Sequence, residues 1–169
     1  MATYRLPILA WSCLPDSNGS TYFEPASLNF GTNDLYPHML IAFADQAAKE
    51  GLSGSFVVPQ NYVGTANIVP VWSTTATSGD VVWDFEYTAV GGDAAESLDP
   101  AANQEAVTGT DTAGGTARRR QELSIALTAG NLAAGDTVLF SFFRDGVNAA
   151  DTLAATAYLF ELFFEYADA

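Results

Sequence analysis

Carboxylates are the side chains of this sequence that come nearest to a catalytic arrangement. Asp84 and Glu86 alternate along one apolar run, and Glu161 and Glu165 along another, so each pair would share one face of a β-strand. Two carboxyl groups on one surface are sufficient for glycoside hydrolysis, one as the acid and the other as base or nucleophile. The chain contains 20 Asp and Glu residues, however, so such spacing also arises on an ordinary solvated sheet face, which is the interpretation we favour.

Histidine and cysteine are too scarce for the other common chemistries. His38, the only histidine, lies beside Met39 and Leu40 in an apolar run, which is typical of a structural residue rather than a general base. Cys13 is the only cysteine, and one histidine with one distant cysteine does not supply a zinc site. Calcium binding is possible at the acid-rich loop 93–99, although this loop lacks the sequence pattern of a calcium-binding loop. The sequence therefore predicts no catalytic residue, no metal ligand and no cofactor.

One further polar group has a structural interpretation. Arg144 and Asp145 directly follow a run of apolar residues, and Asp151 comes after a short loop. A charged side chain at the end of a core strand needs partners, because burying an unpaired charge is costly. We expect a structural ion pair here, or an arginine bonded to loop carbonyls.

The charge balance excludes some classes of partner. Six Lys and Arg residues stand against 20 acidic residues, and the resulting formal net charge of −14 repels nucleic-acid backbones. The most apolar window is shorter than the ~20 residues that cross a bilayer, and no secretion signal is recognisable near Tyr4. We expect a protein that folds in a cytoplasm, with no nucleic-acid and no membrane partner. Because only 15% of residues are charged, the surface favours packing against copies of the chain or another protein.

Two apolar segments near the C-terminus predict β-strands. Thr137 to Phe143 follows a Gly-Asp turn, and Ala157 to Tyr166 follows a short loop. In the second segment, a period of two divides the side chains between two faces. One face would carry Tyr158, Phe160, Leu162, Phe164 and Tyr166, and the other Ala157, Leu159, Glu161, Phe163 and Glu165.

The same Gly-Asp opening occurs upstream. Gly79-Asp80 begins a second aromatic strand through Tyr87, as Gly135-Asp136 begins the strand at Thr137. This echo favours two related halves, as in an eight-stranded jelly roll.

The remaining chain supports an all-β fold. Turn signals separate about eight to ten short strands, Pro70 predicts an edge strand or a bulge within 66–73, and one brief helical segment is predicted at 44–50. The permissive stretch 90–116 predicts an exposed loop with one short strand at 105–108. A further strand is predicted at 121–127. We predict a single domain over residues 1–169, an antiparallel jelly-roll-like β-sandwich.

Two segments are candidate interfaces. Residues 1–15 are apolar and bracketed by prolines, which predicts an extended N-terminal arm or edge strand that either completes its own sandwich or docks on a neighbouring subunit. Arg118, Arg119 and Arg120 form a basic cluster that either offsets acidic loops of the same chain or binds carboxylates of a partner. The arm residues we expect at an interface are Tyr4, Leu6, Ile8 and Trp11.

As an ensemble, several of these features resemble a group of tailed-bacteriophage virion structural proteins. The resemblance extends from Phe56 to Tyr166, about two thirds of the chain. It is carried by Val58-Pro59 with Tyr62, Trp72, Gly79-Asp80-Val81-Val82-Trp83, Gly135-Asp136, Arg144-Asp145, Asp151-Thr152-Leu153-Ala154 and Glu165-Tyr166. Such proteins are jelly-roll-like, commonly trimeric, and occur as capsid decoration or cement proteins, head fibres or tail-fibre parts. The resemblance implies no catalysis.

These observations lead to three functional hypotheses. The first is a homotrimeric capsid cement protein that binds the major capsid protein on the virion exterior, with the N-terminal arm as its anchor. The second is a tail-fibre or receptor-binding module that contacts a host surface glycan through the loops between 90 and 116. The third is a two-carboxylate glycan hydrolase that uses the acidic pairs.

Overall fold

The computed structural model describes residues 2–8, 14–15, 24–28, 38–91, 96–98 and 104–168, with the backbone alone for 14–15, 24–28 and 38–39. These residues form twelve strands, more than the eight to ten predicted, because several are very short. They are β1 (Thr3–Pro7), β2 (Leu14–Pro15), β3 (Glu24–Leu28), β4 (His38–Phe43), β5 (Lys49–Val57), β6 (Tyr62–Thr74), β7 (Asp80–Val90), β8 (Gln104–Thr112), β9 (Gln121–Glu122), β10 (Ile125–Leu127), β11 (Thr137–Asp145) and β12 (Ala157–Asp168).

The strands form two antiparallel sheets packed as a jelly-roll-like sandwich. The five-stranded sheet has the order β2-β5-β11-β7-β8. The seven-stranded sheet has the order β10-β6-β12-β4-β3, with β9 also paired to β6 and β1 to β12. From β4 to β7 the chain alternates between the sheets, so each connection closes the core. The predicted fold class is confirmed.

Aromatic side chains from both sheets fill the core. The ring of Trp83 on β7 lies 5.4 Å from that of Phe43, 6.1 Å from that of Trp72 and 5.1 Å from that of Phe142, centroid to centroid. All four side chains are fully buried. Strand β7 shows the predicted alternation, since its inward residues are the aromatic ones.

Strand β12 departs from the predicted pattern. Its pairing with β6 shifts register between Leu159 and Glu161, which marks a β-bulge at Phe160. A bulge adds one residue and exchanges the two faces, so Ala157 and Leu159 lie in the core together with Leu162 and Phe164. The prediction that Tyr158 and Phe160 share one face with Leu162, Phe164 and Tyr166 was therefore wrong.

Pro70 lies in β6 opposite a break in the neighbouring strands. Its carbonyl accepts a hydrogen bond from the Leu123 N–H at 3.4 Å, in the gap between β9 and β10. In an antiparallel strand the N–H and C=O of one residue point to the same side, so the missing N–H of Pro70 faces this gap. The single strand predicted at 121–127 is accordingly two.

Other predicted boundaries need correction. The described chain contains no α-helix, and 44–50 is a loop followed by the start of β5, where pairing with β11 overrides the helical propensity of the sequence. A single 3-10 turn occurs instead at Ala129–Asn131. Strand β8 runs over Gln104–Thr112 rather than the predicted 105–108, because it pairs along β7. No described helix is long and apolar enough to cross a membrane.

The two Gly-Asp pairs take up the predicted turn role. Gly79 and Gly135 have φ angles of +102° and +90°, values that glycine adopts without strain. A Cβ on Gly79 would lie 2.7 Å from the carbonyl oxygen of Thr152. The strands that follow, β7 and β11, pair with each other. The repeated Gly-Asp pair therefore precedes two neighbouring strands of one sheet.

The N-terminal arm completes its own sandwich. Strand β1 pairs with β12 over Thr3–Pro7, and Ile8, just beyond it, is 1% exposed in the core. Tyr4 stacks on Tyr166 with ring centroids 5.9 Å apart and Leu6 packs against the core, so alternate residues of the arm face inward. Residues 3–8 of the arm therefore belong to the sandwich of their own chain, and docking of the arm on a neighbouring subunit stays a prediction.

A buried arginine ties the loops to the core. The guanidinium of Arg144, 1% exposed, donates to both carboxylate oxygens of Asp151 at 2.7 and 3.0 Å. It also donates to backbone carbonyls, those of Phe43 at 3.3 Å, Ala44 at 3.1 Å, Leu153 at 2.6 Å and Ala155 at 2.7 Å. The prediction of an ion pair or bonds to loop carbonyls is confirmed, since both occur.

We expect Asp151→Asn to lower the free energy of unfolding by about 3–5 kcal/mol, because it removes the buried counter-ion of Arg144 and leaves only the distant, exposed Asp45. Urea unfolding measures this change. Asp45→Asn is the matched control, since the Asp45 carboxylate is 55% exposed and 3.6 Å from the same guanidinium. Its effect is expected to stay below about 1 kcal/mol. Equal effects of the two substitutions would contradict the assigned role of Asp151.

Candidate functional site

The outward face of the five-stranded sheet carries short polar side chains at its centre. Strand alternation places Ser53 and Ser55 of β5, Ser141 of β11, and Glu86 and Thr88 of β7 on this face. The register aligns them in rows, with Ser53 beside Ser141 and Ser141 beside Glu86. Because these side chains are small, the middle of the sheet is lower than its surroundings.

This depression is an open groove of about 840 Å³. Three strands with continuous pairing form its floor, so the floor is rigid. The lining residues are Ser53, Gly54, Ser55, Glu86, Tyr87, Thr88, Leu98, Gln104, Glu105, Ala106, Leu139, Phe140 and Ser141.

Polar atoms on the floor are arranged for a ligand with many hydrogen-bonding groups. The hydroxyls of Ser53 and Ser141 lie 2.9 Å apart and hydrogen-bond each other. The side chain of Glu86 is 50% exposed. The hydroxyl of Thr88 is shielded from solvent and has no hydrogen-bond partner among the described residues. Leu139, 37% exposed, adds an apolar patch on which the non-polar face of a ligand could rest.

A lysine covers the sheet face next to the groove. The Nζ atom of Lys49 lies 2.7 Å from Asp84, 3.7 Å from Glu86 and 3.9 Å from Asp145, and 5.5 Å from the ring centroid of Phe143. The hydrogen bond to Asp84 raises the pKa of Lys49. The ring of Phe143 lies across Gly51, where a Cβ would be 2.2 Å from the ring atom Cδ1. Lys49 and Phe143 thus cover the sheet face next to Glu86, beyond the lining of the groove.

A hydrogen-bonded cluster supports the opposite margin. Glu105 accepts bonds from the Thr128 N–H at 2.9 Å, the Thr128 hydroxyl at 2.7 Å and the Tyr87 hydroxyl at 2.8 Å. Although burial alone would raise the pKa of Glu105, these three bonds lower it on balance. Burial raises the pKa of Tyr87. The cluster fixes β8 to the loop that follows β10.

The two predicted carboxylate pairs have separate structural roles. Asp84 and Glu86 do share one face, but the Asp84 side chain is only 9% exposed, bonded to Lys49 and accepting a bond from the Thr108 hydroxyl at 2.7 Å. Glu165 accepts bonds from Arg5 at 2.8 Å and Asn67 at 3.1 Å, on the other sheet. The expected solvated face applies to Glu86, whose side chain is 50% exposed, but not to Asp84 and Glu165, which are held by partners within the chain. Within the described residues, no group of three or more His, Cys, Asp or Glu side chains is placed to hold a metal ion.

The predicted interface residues are dispersed. Tyr4, Leu6 and Ile8 lie on or next to β1, as described above, and Trp11 lies outside the described residues. Arg118 and Arg119 are exposed on the loop before β9, where Arg118 has a φ of +65°. Arg120 forms an ion pair with Glu122. The structure therefore pairs one of the three arginines within the chain, and their contact with a partner stays a prediction.

The groove was missed in the sequence because serine carries no distinctive signal. Ser141 interrupts the run Phe140-Ser141-Phe142, and Ser53 and Ser55 alternate with apolar or glycine positions of β5. Polar residues at every second position of central strands are the pattern that identifies an exposed sheet face. These serines lie side by side on the groove floor because β5 pairs with β11, and this strand order cannot be read from the sequence.

Comparison with known proteins gives only distant similarities. No family model matches the sequence, and no curated protein is similar to it. Among solved structures, a family 11 carbohydrate-binding module from Clostridium thermocellum in complex with a β-1,3-1,4-mixed-linked tetrasaccharide aligns over 96% of this chain and 94% of its own, with 8% identity and a TM-score of 0.49. A family 30 carbohydrate-binding module of a cellulosomal cellulase of C. thermocellum aligns over 97% of both chains, with 12% identity and a TM-score of 0.47.

A third solved structure is the K1 cleaved adhesin domain of Lys-gingipain from Porphyromonas gingivalis W83. It aligns over 97% of this chain and 98% of its own, with 13% identity and a TM-score of 0.41. TM-scores below 0.5 are too low for these similarities to support a function for this chain. None of the three descriptions names a bacteriophage or a virion component, so the resemblance to virion proteins stays a prediction, apart from its β-sandwich fold.

The Glu105 cluster predicts a pH-dependent contribution to stability. Because the pKa of Glu105 is lower in the folded than in the unfolded chain, its ionised carboxylate stabilises the fold at neutral pH. That contribution is lost as the pH falls from the ordinary value of 4.5 through the folded-state pKa. We expect Glu105→Gln to lower the free energy of unfolding at pH 7 and to differ less from the wild type at low pH. Urea unfolding between pH 7 and 3 measures this difference, with Glu161→Gln as control, and a constant difference would contradict the assignment.

Proposed function

We propose that the chain is a non-enzymatic module that binds a glycan in the groove of the five-stranded sheet. The observation that carries this proposal is the groove itself, an open, rigid depression of about 840 Å³ lined by hydroxyl, amide and carboxylate groups beside the apolar patch of Leu139. The mixture of polar and apolar groups in this surface matches that of a sugar chain, which presents hydroxyls at its rim and C–H groups on its faces.

The shape of the groove fits an extended ligand. Its floor spans β5, β11 and β7, and it is open to solvent rather than closed over a small molecule. A polymer needs such access from both directions, whereas small-molecule pockets bury most of the ligand surface. Serine and threonine hydroxyls on a fixed sheet lose little side-chain entropy on binding.

The carboxylates of the groove support binding rather than hydrolysis. Glu105 is held by three hydrogen bonds within the chain, and Asp84, just beyond the lining, is held by Lys49 and Thr108. Glu86 is then the lining carboxylate that faces the ligand. Hydrolysis of a glycoside by the usual mechanism needs two carboxyl groups, one on each side of the bond.

This site differs from the one expected for a glycan-contacting module. The sequence pointed to the loops between 90 and 116, and this stretch does line one side of the groove, through Leu98 and the first three residues of β8, whereas the other lining residues lie on β5, β7 and β11. Sites on strands are held more precisely than sites on loops. We therefore assign recognition to the sheet face.

Ser141→Leu tests this assignment. The substitution fills the middle of the groove and removes a hydroxyl, so we expect at least tenfold weaker binding of any glycan found on an array, with little change in melting temperature. Isothermal titration calorimetry gives the affinity. Thr110→Leu is the matched control, because Thr110 lies on the outward face of β8 but outside the groove. Absence of binding to every glycan on the array, or equal affinity of both variants, would defeat the proposal.

Capsid cement is the second candidate function, and the exposed pair Arg118 and Arg119 favours it. In a chain of net charge −14, two adjacent guanidinium groups fit carboxylates of another protein. In this proposal the partners are a major capsid protein and further copies of the chain, as a homotrimer on the exterior of a virion. Exposed Tyr4 at the rim of β1 would add apolar contact.

The double variant Arg118→Asn/Arg119→Gln tests the second candidate. We expect it to decorate capsids that lack the protein less completely than the wild type, as measured by sedimentation of the shells. Arg120→Gln is the control, because Arg120 is paired with Glu122 within the chain. Failure of the wild-type protein to bind shells would reject capsid cement.

A further inference from the structure

We propose that the ligand of the groove is a glycan that carries protonated amino groups, such as a glucosamine polymer, and that Glu86 is its counter-ion. This inference rests on the proposed function, since it names the class of glycan that the same groove takes. It is based on the charges of the lining, on the contacts of Glu86 and on the space beside it.

The lining contains acidic groups and no basic one. Glu86 and Glu105 are its carboxylates, and no Lys or Arg belongs to it. The Glu105 carboxylate is directed to Thr128 and Tyr87, which satisfy it within the chain. The negative charge available to a ligand in the groove is therefore that of Glu86, whose side chain is 50% exposed.

Lys49 does not neutralise this charge. Its single ammonium group lies among three carboxylates, nearest to Asp84 at 2.7 Å and farther from Glu86 at 3.7 Å and Asp145 at 3.9 Å. One positive and three negative charges leave a surplus of two negative charges at this end of the groove. A second cation beside Glu86 would relieve that surplus, because Coulomb attraction at such distances is substantial near a protein surface.

The positions beside Glu86 leave room for a ligand group. Its cross-strand neighbours on this face are Ser141 on β11 and Ala106 on β8, both short side chains. The hydroxyl of Ser141, which bonds that of Ser53 at 2.9 Å, is the polar group beside Glu86. An ammonium group at Glu86 would thus have a carboxylate for its charge and the Ser141 hydroxyl nearby for one of its remaining hydrogens.

The electrostatic field of the whole protein also favours a cationic ligand. A net charge of −14 raises the local concentration of cations and repels uronates and sulfated sugars. Discrimination between glycans then has an attractive element, Glu86, and a repulsive one, the acidic surface.

Calorimetry with four short oligosaccharides at about pH 6 tests this inference: glucosamine, N-acetylglucosamine, glucose and galacturonate oligomers of equal length. We expect the glucosamine oligomer to bind most tightly and the galacturonate oligomer not to bind. Glu86→Gln should weaken binding of the glucosamine oligomer about ten- to one-hundredfold, the value of a hydrogen bond to a charged group. The same variant should weaken binding of the neutral oligomers less, because these form no ion pair with Glu86.

Glu161→Gln is the matched control, because it removes the same charge from the other sheet. Equal loss of affinity in both variants would show general attraction of a cation to an acidic protein and would overturn the inference. Tighter binding of a neutral oligomer, sensitive to Ser141→Leu, would also overturn it but would leave the proposed function standing. If no oligosaccharide binds, the proposed function and the inference both fail.

Discussion

The buried guanidinium of Arg144 is the constraint on which much of this structure depends. A charge at 1% exposure is tolerable only when its hydrogen-bond donors are satisfied, and here Asp151 and four backbone carbonyls do so. These acceptors come from the end of β4, the loop after it and the loop before β12. One side chain of the five-stranded sheet therefore fixes two segments that lead into the seven-stranded sheet.

The groove is possible because the two faces of the five-stranded sheet have different roles: one packs in the core and the other is exposed to solvent. The inward residues of β7 and β11 include several aromatic residues of the core, so their outward neighbours are free to be small and polar. Ser141 lies between Phe140 and Phe142, both buried. Because the core side holds the strands in place, the surface side can carry a recognition site without a large cost in stability.

Sequence patterns predicted the features that depend on local chemistry. The Gly-Asp turns, the alternation along β7 and the partners of Arg144 follow from backbone freedom, periodicity and the cost of a buried charge. The bulge at Phe160 and the strand at Lys49 did not follow, because an inserted residue leaves no mark on composition and the residues before β5 favour a helix in isolation. The groove could not be predicted either, because its residues are brought together by the order of the strands, which is set by long-range pairing.

The position of β12 has a consequence for how the protein folds. Strand β12 pairs with β6 along one side and with β4 and β1 along the other, so the middle of the seven-stranded sheet is missing until residues 157–168 are in place. Until then β1, β4 and β6 have unpaired edges. Such long-range pairing slows folding, and unpaired edges favour aggregation of newly synthesised chains. The seven-stranded sheet is therefore complete only when β12 has paired along both of its sides.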